Sequence, residues 1–130
     1  MSPSAEKTLQ QWCADVLNFL QVYGYKLENG NRRSLFYVTY FAFDETRIAM
    51  ELYEEGLLLA VAARAPNYNI HHVNEANNHL RTAKVYFDEN NKSAIYKTII
   101  PAHSNIDDWI ATFIENFMVE ISDMNIILNK

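Results

Sequence analysis

Residues 35–65 read LFYVTYFAFDETRIAMELYEEGLLLAVAARA. The first nine, residues 35–43, are aromatic and β-branched, side chains that fit a pleated strand better than a helix. Asp44-Glu45 supplies a turn, and Ile48, Met50 and Leu52 then alternate with Ala49, Glu51 and Tyr53 at the two-residue period of a half-buried strand. Glu54-Glu55-Gly56 turns the chain again. Residues 57–65 are helix-compatible by propensity, but their brevity and the preceding Gly56 favour a third strand. Three consecutive antiparallel strands joined by short hairpins therefore set the fold. Leu35, Tyr37, Thr39, Phe41 and Phe43 alternate with Phe36, Val38, Tyr40 and Ala42, and Leu57, Leu59 and Val61 alternate with Leu58, Ala60 and Ala62. Both faces of these strands are apolar, whereas an antiparallel sheet with one wet face should alternate apolar and polar. The pattern predicts that the second face is covered, either by loops and a short helix of the same chain or by a partner, and it makes Tyr37, Tyr40, Phe41 and Tyr53 the candidate partner-binding residues.

Working outward, Leu9, Trp12, Cys13, Val16, Leu17 and Leu20 recur at helical spacing over residues 4–23, with Ser2-Pro3 or Ser4 as the expected cap and Gly24 as the stop. Residues 25–28 form a short extended piece before the Asn29-Gly30 turn, a fourth strand at one edge. On the other side, residues 66–69 break the sheet and Ile70, Val73, Ala76 and Leu80 mark a short helix. Residues 83–88 and 93–100 form a second hairpin, ended by Pro101. Asn105, with Asp108 three residues on, is the expected cap of a long final helix with Trp109, Ile110, Phe113, Phe117, Ile121, Met124 and Leu128 on its apolar face. The predicted class is α+β, one antiparallel sheet of about five strands in the order α-β-β-β-α-β-β-α.

The chain has 130 residues, so a single domain over 1–130 is expected, large enough to fold without metal or disulfide. With 3 Gly, 3 Pro and 1 Cys there is no low-complexity tail and no internal disulfide. The sequence predicts neither a membrane span nor a signal peptide, and hence a cytoplasmic protein. Sixteen acidic residues against eleven basic ones, a net charge of -5, argue against nucleic acid as partner.

Chemistry-bearing patterns are sparse. His71, Glu75 and His79 recur at i, i+4 and i+8 on one helix face, a spacing that suggests a small metal- or ligand-binding enzyme as an alternative function. It is not the H-E-x-x-H signature, however, an i to i+8 pair is too far apart to bind one ion without ligands from elsewhere, and a hydrophilic helix face, solvated or lining an interface, is the reading the pattern favours. Cys13 lies in an apolar stripe with nothing in sequence to lower its pKa. The Asp107-Asp108 pair is accounted for by capping and Glu54-Glu55 by a turn. There is no Gly-rich phosphate loop, no G-x-S-x-G and no C-x-x-C, so neither catalysis nor a cofactor is predicted.

Three passages, TLQQWCADVLNFL (residues 8–20), VNEANNHLRTAKVYFD (73–88) and IDDWIATFIENFMVEISDM (106–124), together with the element order, resemble the YbjN-type family of bacterial proteins, described as candidate sensory-transduction regulators. The fold of that family is similar to that of type III secretion chaperones. The resemblance implies a non-enzymatic protein-interaction module, a regulator or chaperone-like binder that covers apolar segments of a partner protein, often as a homodimer. In secretion chaperones the middle helix contributes to the dimer. The matching helix here makes Ile70, Val73 and Leu80 the dimer-interface candidates, although its Asn- and His-rich face departs from a strongly apolar dimer helix. A self-sufficient structural homodimer is the remaining alternative.

Overall fold

The computed structural model describes residues 8–29, 35–40, 46–65, 70–81 and 83–128. Over them the chain runs α1 (Leu9–Tyr23), β1 (Lys26–Asn29), β2 (Leu35–Tyr40), β3 (Thr46–Tyr53), β4 (Gly56–Arg64), α2 (Ile70–His79), β5 (Lys84–Asp88), β6 (Ser93–Pro101) and α3 (Asp108–Leu128). The expected α+β class and element order hold, and the short edge piece is realised as β1. Hydrogen-bonded neighbours follow the order β1-β2-β3-β4-β6-β5, so β1 and β5 are the edge strands. The pairs β1/β2, β2/β3 and β5/β6 are antiparallel. The chain divides into two compact units, residues 1–59 with 99–111 and residues 60–98 with 112–130.

In the first unit, α1 opens on a capping box. The Thr8 hydroxyl accepts from the Gln11 backbone N–H at 3.1 Å, and the Gln11 side-chain oxygen accepts from the Thr8 N–H at 3.0 Å. Two donors that a helix start leaves orphaned are thereby satisfied. The cap is thus Thr8 and not Ser4; residues 1–7 lie outside the described residues. Gly24 ends the helix at φ 126°, a region that disfavours side chains, while the Gly24 and Tyr25 N–H groups both donate to the Leu20 carbonyl. Trp12, Cys13, Val16, Leu17 and Leu20 are buried, as are Tyr25, Ile48, Met50, Leu57, Leu59, Ile100 and Ile110 of the same unit. Burial of each such aliphatic side chain contributes about 1.5–3 kcal/mol.

Two further details fix this unit. At the β3–β4 turn Gly56 has φ 148°, and a β-carbon there would collide with the Ile100 carbonyl oxygen. The Ala102 N–H donates to the Glu55 carbonyl at 2.9 Å, closing the end of β6 onto the turn. The α3 cap also differs from expectation. Asp107, not Asn105, receives the Trp109 N–H on its carboxylate at 3.0 Å. Asn105 instead offers its carbonyl to the Trp109 indole N–H at 2.6 Å.

In the second unit, Val73 and Ala76 of α2 and Leu80 directly after it are buried together with Val61, Val85, Ala94 and Tyr96 of the strands. The α3 residues Ile114, Phe117, Met118 and Ile121 join them, whereas Phe113 and Met124 are only half-buried, so the inner stripe is turned from the one expected. The β5–β6 turn is tied by Asp88, whose carboxylate accepts from the Asn90 and Asn91 N–H groups and, at 2.7 Å, from the Asn91 side-chain amide. Lys92 completes the turn at φ 51°.

Candidate functional site

The strands present one sealed row and one open row. On β3, Ile48 and Met50 are buried, whereas Arg47 and Tyr53 are exposed and Ala49 and Glu51 are half-buried. Tyr53 is 45 % exposed and donates its hydroxyl to the Glu51 carboxylate at 2.8 Å. Arg47 pairs with Glu28 of β1 at 3.0 Å, with both side chains about half in solvent. Exposed pairs of this kind contribute at most about 1 kcal/mol. β4 repeats the asymmetry within each unit. Leu57 and Leu59 are buried with Leu58 half-buried, and beyond them Val61 is buried while Ala62 and Arg64 are exposed.

The expected partner-binding residues divide across these rows. Backbone register sets Tyr37 opposite Ala49, on the open row that ends at Tyr53, and sets Tyr40 opposite Thr46, on the alternate row that carries Ile48 and Met50. The side chains of β2 fall outside the described set, as does Phe41 altogether. The structure therefore brings Tyr37 and Tyr53 to one row by register and separates Tyr40 from them. The expectation of two uniformly apolar faces is modified for the described strands. Beside the sealed row, the second row mixes small, aromatic and charged residues.

The hairpin β5–β6 carries a feature that periodicity missed. Tyr86 is exposed and register-paired with Ile95, and the Lys97 ammonium lies 5.0 Å from the centre of the Tyr86 ring. Such a cation–π contact is worth about 0.5–1 kcal/mol at an exposed position. Val73 of α2 and Leu80 directly after the helix are buried, each 7 % exposed, and Ile70 is the first residue of α2, with its side chain outside the described set. Two of the three dimer-interface candidates are therefore buried within their own chain.

A second missed residue is Asn77, in the N-E-A-N passage. Its amide nitrogen donates to the Val85 carbonyl at 2.9 Å, and its amide oxygen accepts from the Val85 N–H at 2.8 Å. The side chain makes the reciprocal pair of bonds that a neighbouring strand would make. It covers the edge strand β5 at its second residue, a position that would otherwise invite pairing with another chain. No hydrophobic pattern encodes this bond; only the Asn at the end of a short helix before a strand hints at it.

The chemical candidates are placed as follows. His71, Glu75 and His79 are all exposed on α2, and among the described residues no three His, Cys, Asp or Glu side chains gather closely enough to hold an ion. Cys13 is buried, and burial pushes its thiol up to about 11, away from nucleophilic use near neutral pH. No helix among the described residues is long and apolar enough to cross a membrane.

Comparison with known proteins adds one finding on the fold. No family model matches the chain, and no curated protein matches it in sequence. Among solved structures, the chain is similar to YbjN of E. coli, described as a candidate transcription regulator, with a TM-score of 0.66 at 10 % identity, over 95 % of this chain and 89 % of that one. At that identity the likeness establishes a shared fold over nearly the whole length.

Proposed function

We propose that this chain is a non-enzymatic protein-interaction module of YbjN type, working in the bacterial cytoplasm as a regulator or chaperone-like binder that covers an apolar segment of a partner protein. The observation that carries the reading is the open row of the first unit, where Tyr53 stands half in solvent on the row of Glu51 and of Ala49, the register partner of Tyr37. An amphipathic tyrosine presents a large apolar ring and a polar tip at small entropic cost, the combination that recurs in protein-binding surfaces. The shared fold with a regulator supports the same reading. The net charge of -5 favours regulation through protein contacts over direct binding to a phosphate backbone. The partner proposed is a polypeptide with an apolar stretch.

The test compares the wild-type chain with Tyr37→Ala/Tyr53→Ala and Phe41→Ala in capture from native cytoplasm, with circular dichroism as the check on folding. A partner retained by the wild type and lost by the folded variants supports the proposal. Equal capture by all three sinks it. Light scattering on the same samples distinguishes a self-sufficient homodimer, which would hold a constant dimer mass and retain no specific partner.

A further inference from the structure

The hairpin β5–β6 turns a cationic and aromatic row away from the core of the second unit. Val85 and Tyr96 are buried in that core, so the alternate residues Lys84 and Tyr86 of β5 and Ile95 and Lys97 of β6 share the other side of the sheet. Lys84 and Tyr86 are exposed, and Ile95 and Lys97 are half-buried. Beside β6, β4 adds the small Ala60 and Ala62 on the row alternate to the buried Val61, which leaves the floor next to Ile95 flat. Register sets Lys84 directly opposite Lys97, and like charges in that position destabilise a sheet. Among the described residues no carboxylate is paired with either lysine. The Lys97 ammonium instead leans over the Tyr86 ring, 5.0 Å from its centre, where it keeps its charge and its N–H donors.

The acidic side chains of this unit all fall among the described residues. Glu75 lies on α2, and Glu115, Glu120 and Asp123 lie on α3, the helices that supply the buried side of the core. Asp88 shares the row of Lys84 and Tyr86, but its carboxylate accepts from Asn90 and Asn91, and Glu89 follows it in the turn. The facing lysines are thus left for an anion from outside the unit.

We infer that the outer face of this hairpin is a docking surface for a partner's acidic polypeptide segment, in which Asp or Glu stands next to an aliphatic side chain. A carboxylate would bridge Lys84 and Lys97 and offset their repulsion, and the aliphatic neighbour would lie on Tyr86 and Ile95. One face of the Tyr86 ring already carries the Lys97 ammonium, so the ring is not a free stacking platform for a nucleobase. A dense phosphate backbone would also meet the chain's net charge of -5, as would a second copy, whereas a segment with a few carboxylates meets it far less. The segment lies across the face instead of extending the sheet, because Asn77 already holds the Val85 N–H and C=O at the β5 edge. The lysines belong to the second unit and Tyr53 to the first, so each surface is tested by its own variants.

The probe is a fluorescein-labelled peptide of about 12 residues in which Glu flanks Leu on both sides within a Gly/Ser background, flexible until it docks. Its control carries Gln in place of every Glu. Anisotropy titrations should show binding of the Glu peptide only, weakening between about 50 and 300 mM salt. Lys84→Gln and Lys97→Gln should each weaken it a few-fold and the double variant about tenfold, with circular dichroism unchanged because both side chains reach solvent. Amide chemical shifts should move at residues 84–86 and 95–97. Tyr53→Ala should bind the peptide as the wild type does, which separates a failure here from a failure of the strand-row reading. Equal binding of the Gln peptide, unchanged binding by the folded double variant, tighter binding of a labelled single-stranded oligonucleotide of the same length, or no binding of the Glu peptide at millimolar protein would overturn the inference. So would self-association that the double variant abolishes in a chain that binds no peptide, since the occupant would then be a second copy.

Discussion

Tyr96 is the most completely enclosed large side chain of β6, and its hydroxyl has no hydrogen-bond partner among the described residues. Burial drives its phenol pKa upward, so it stays neutral over the working range. An unsatisfied buried hydroxyl costs free energy, and Tyr96→Phe removes it while keeping the ring. Denaturant unfolding should show stability unchanged or raised by about 1 kcal/mol. Asp88 gives a second prediction. The side-chain hydrogen bond from Asn91, followed by the backbone N–H groups of Asn91 and Asn90, lowers its carboxyl pKa below the ordinary value. A carboxylate whose folded pKa is depressed contributes stability above the unfolded pKa, and this contribution is lost as pH falls through the folded one. A carbon-detected titration should place the Asp88 midpoint below that of a free aspartate, and Asp88→Asn should remove this component of the acid sensitivity of the β5–β6 turn.

Asn77 shows what one side chain does for a whole strand. Asn77→Ala leaves the Val85 N–H and C=O without their partners, an expected loss of about 1–3 kcal/mol. It also bares the β5 edge, so sedimentation should show more self-association than in the wild type. Gly56→Ala brings both a disfavoured φ and a collision with the Ile100 carbonyl, so a loss above about 2 kcal/mol is expected from thermal unfolding. Neither residue belongs to a hydrophobic period, and that marks where sequence reading stops. The alternation Ile48, Met50 and the stripe Trp12, Val16, Leu20 were legible because burial repeats at fixed spacing. The start of α1 was misplaced because Ser4 and Thr8 are equally competent caps, and only the reach of Gln11 decides between them. The α3 stripe was turned because Phe113, Ile114, Phe117 and Met118 form an apolar band wider than one stripe, and the part that is buried is the part opposite the exposed Thr112, Asn116, Ser122 and Asp123. For the candidate site, the tyrosines were legible as strand residues, but which of them share a row with Tyr53 follows from the pairing of Tyr37 with Ala49, which depends on how the intervening turn sets the register. Val73 and Leu80 were legible as apolar, yet periodicity does not say whether an apolar stripe meets its own chain or another.

At the scale of the molecule, β4, β6 and α3 each continue from one compact unit into the other. Elements shared in this way couple the two units through the backbone itself. Thermal unfolding followed by near- and far-ultraviolet circular dichroism should therefore give one coincident transition, and two separated ones would show that the units melt independently. The row at Tyr53 is the exposed surface on which the proposed binding would be sought. The loop between β6 and α3 has a practical consequence for observing that binding. The chain has 2 tryptophans, and both indole N–H groups donate into this one loop, Trp12 to the Ser104 carbonyl at 2.9 Å and Trp109 to the Asn105 carbonyl at 2.6 Å. Intrinsic fluorescence is therefore a built-in, label-free gauge of a single short segment: any event that shifts residues 104–106 will register in the emission of both fluorophores at once.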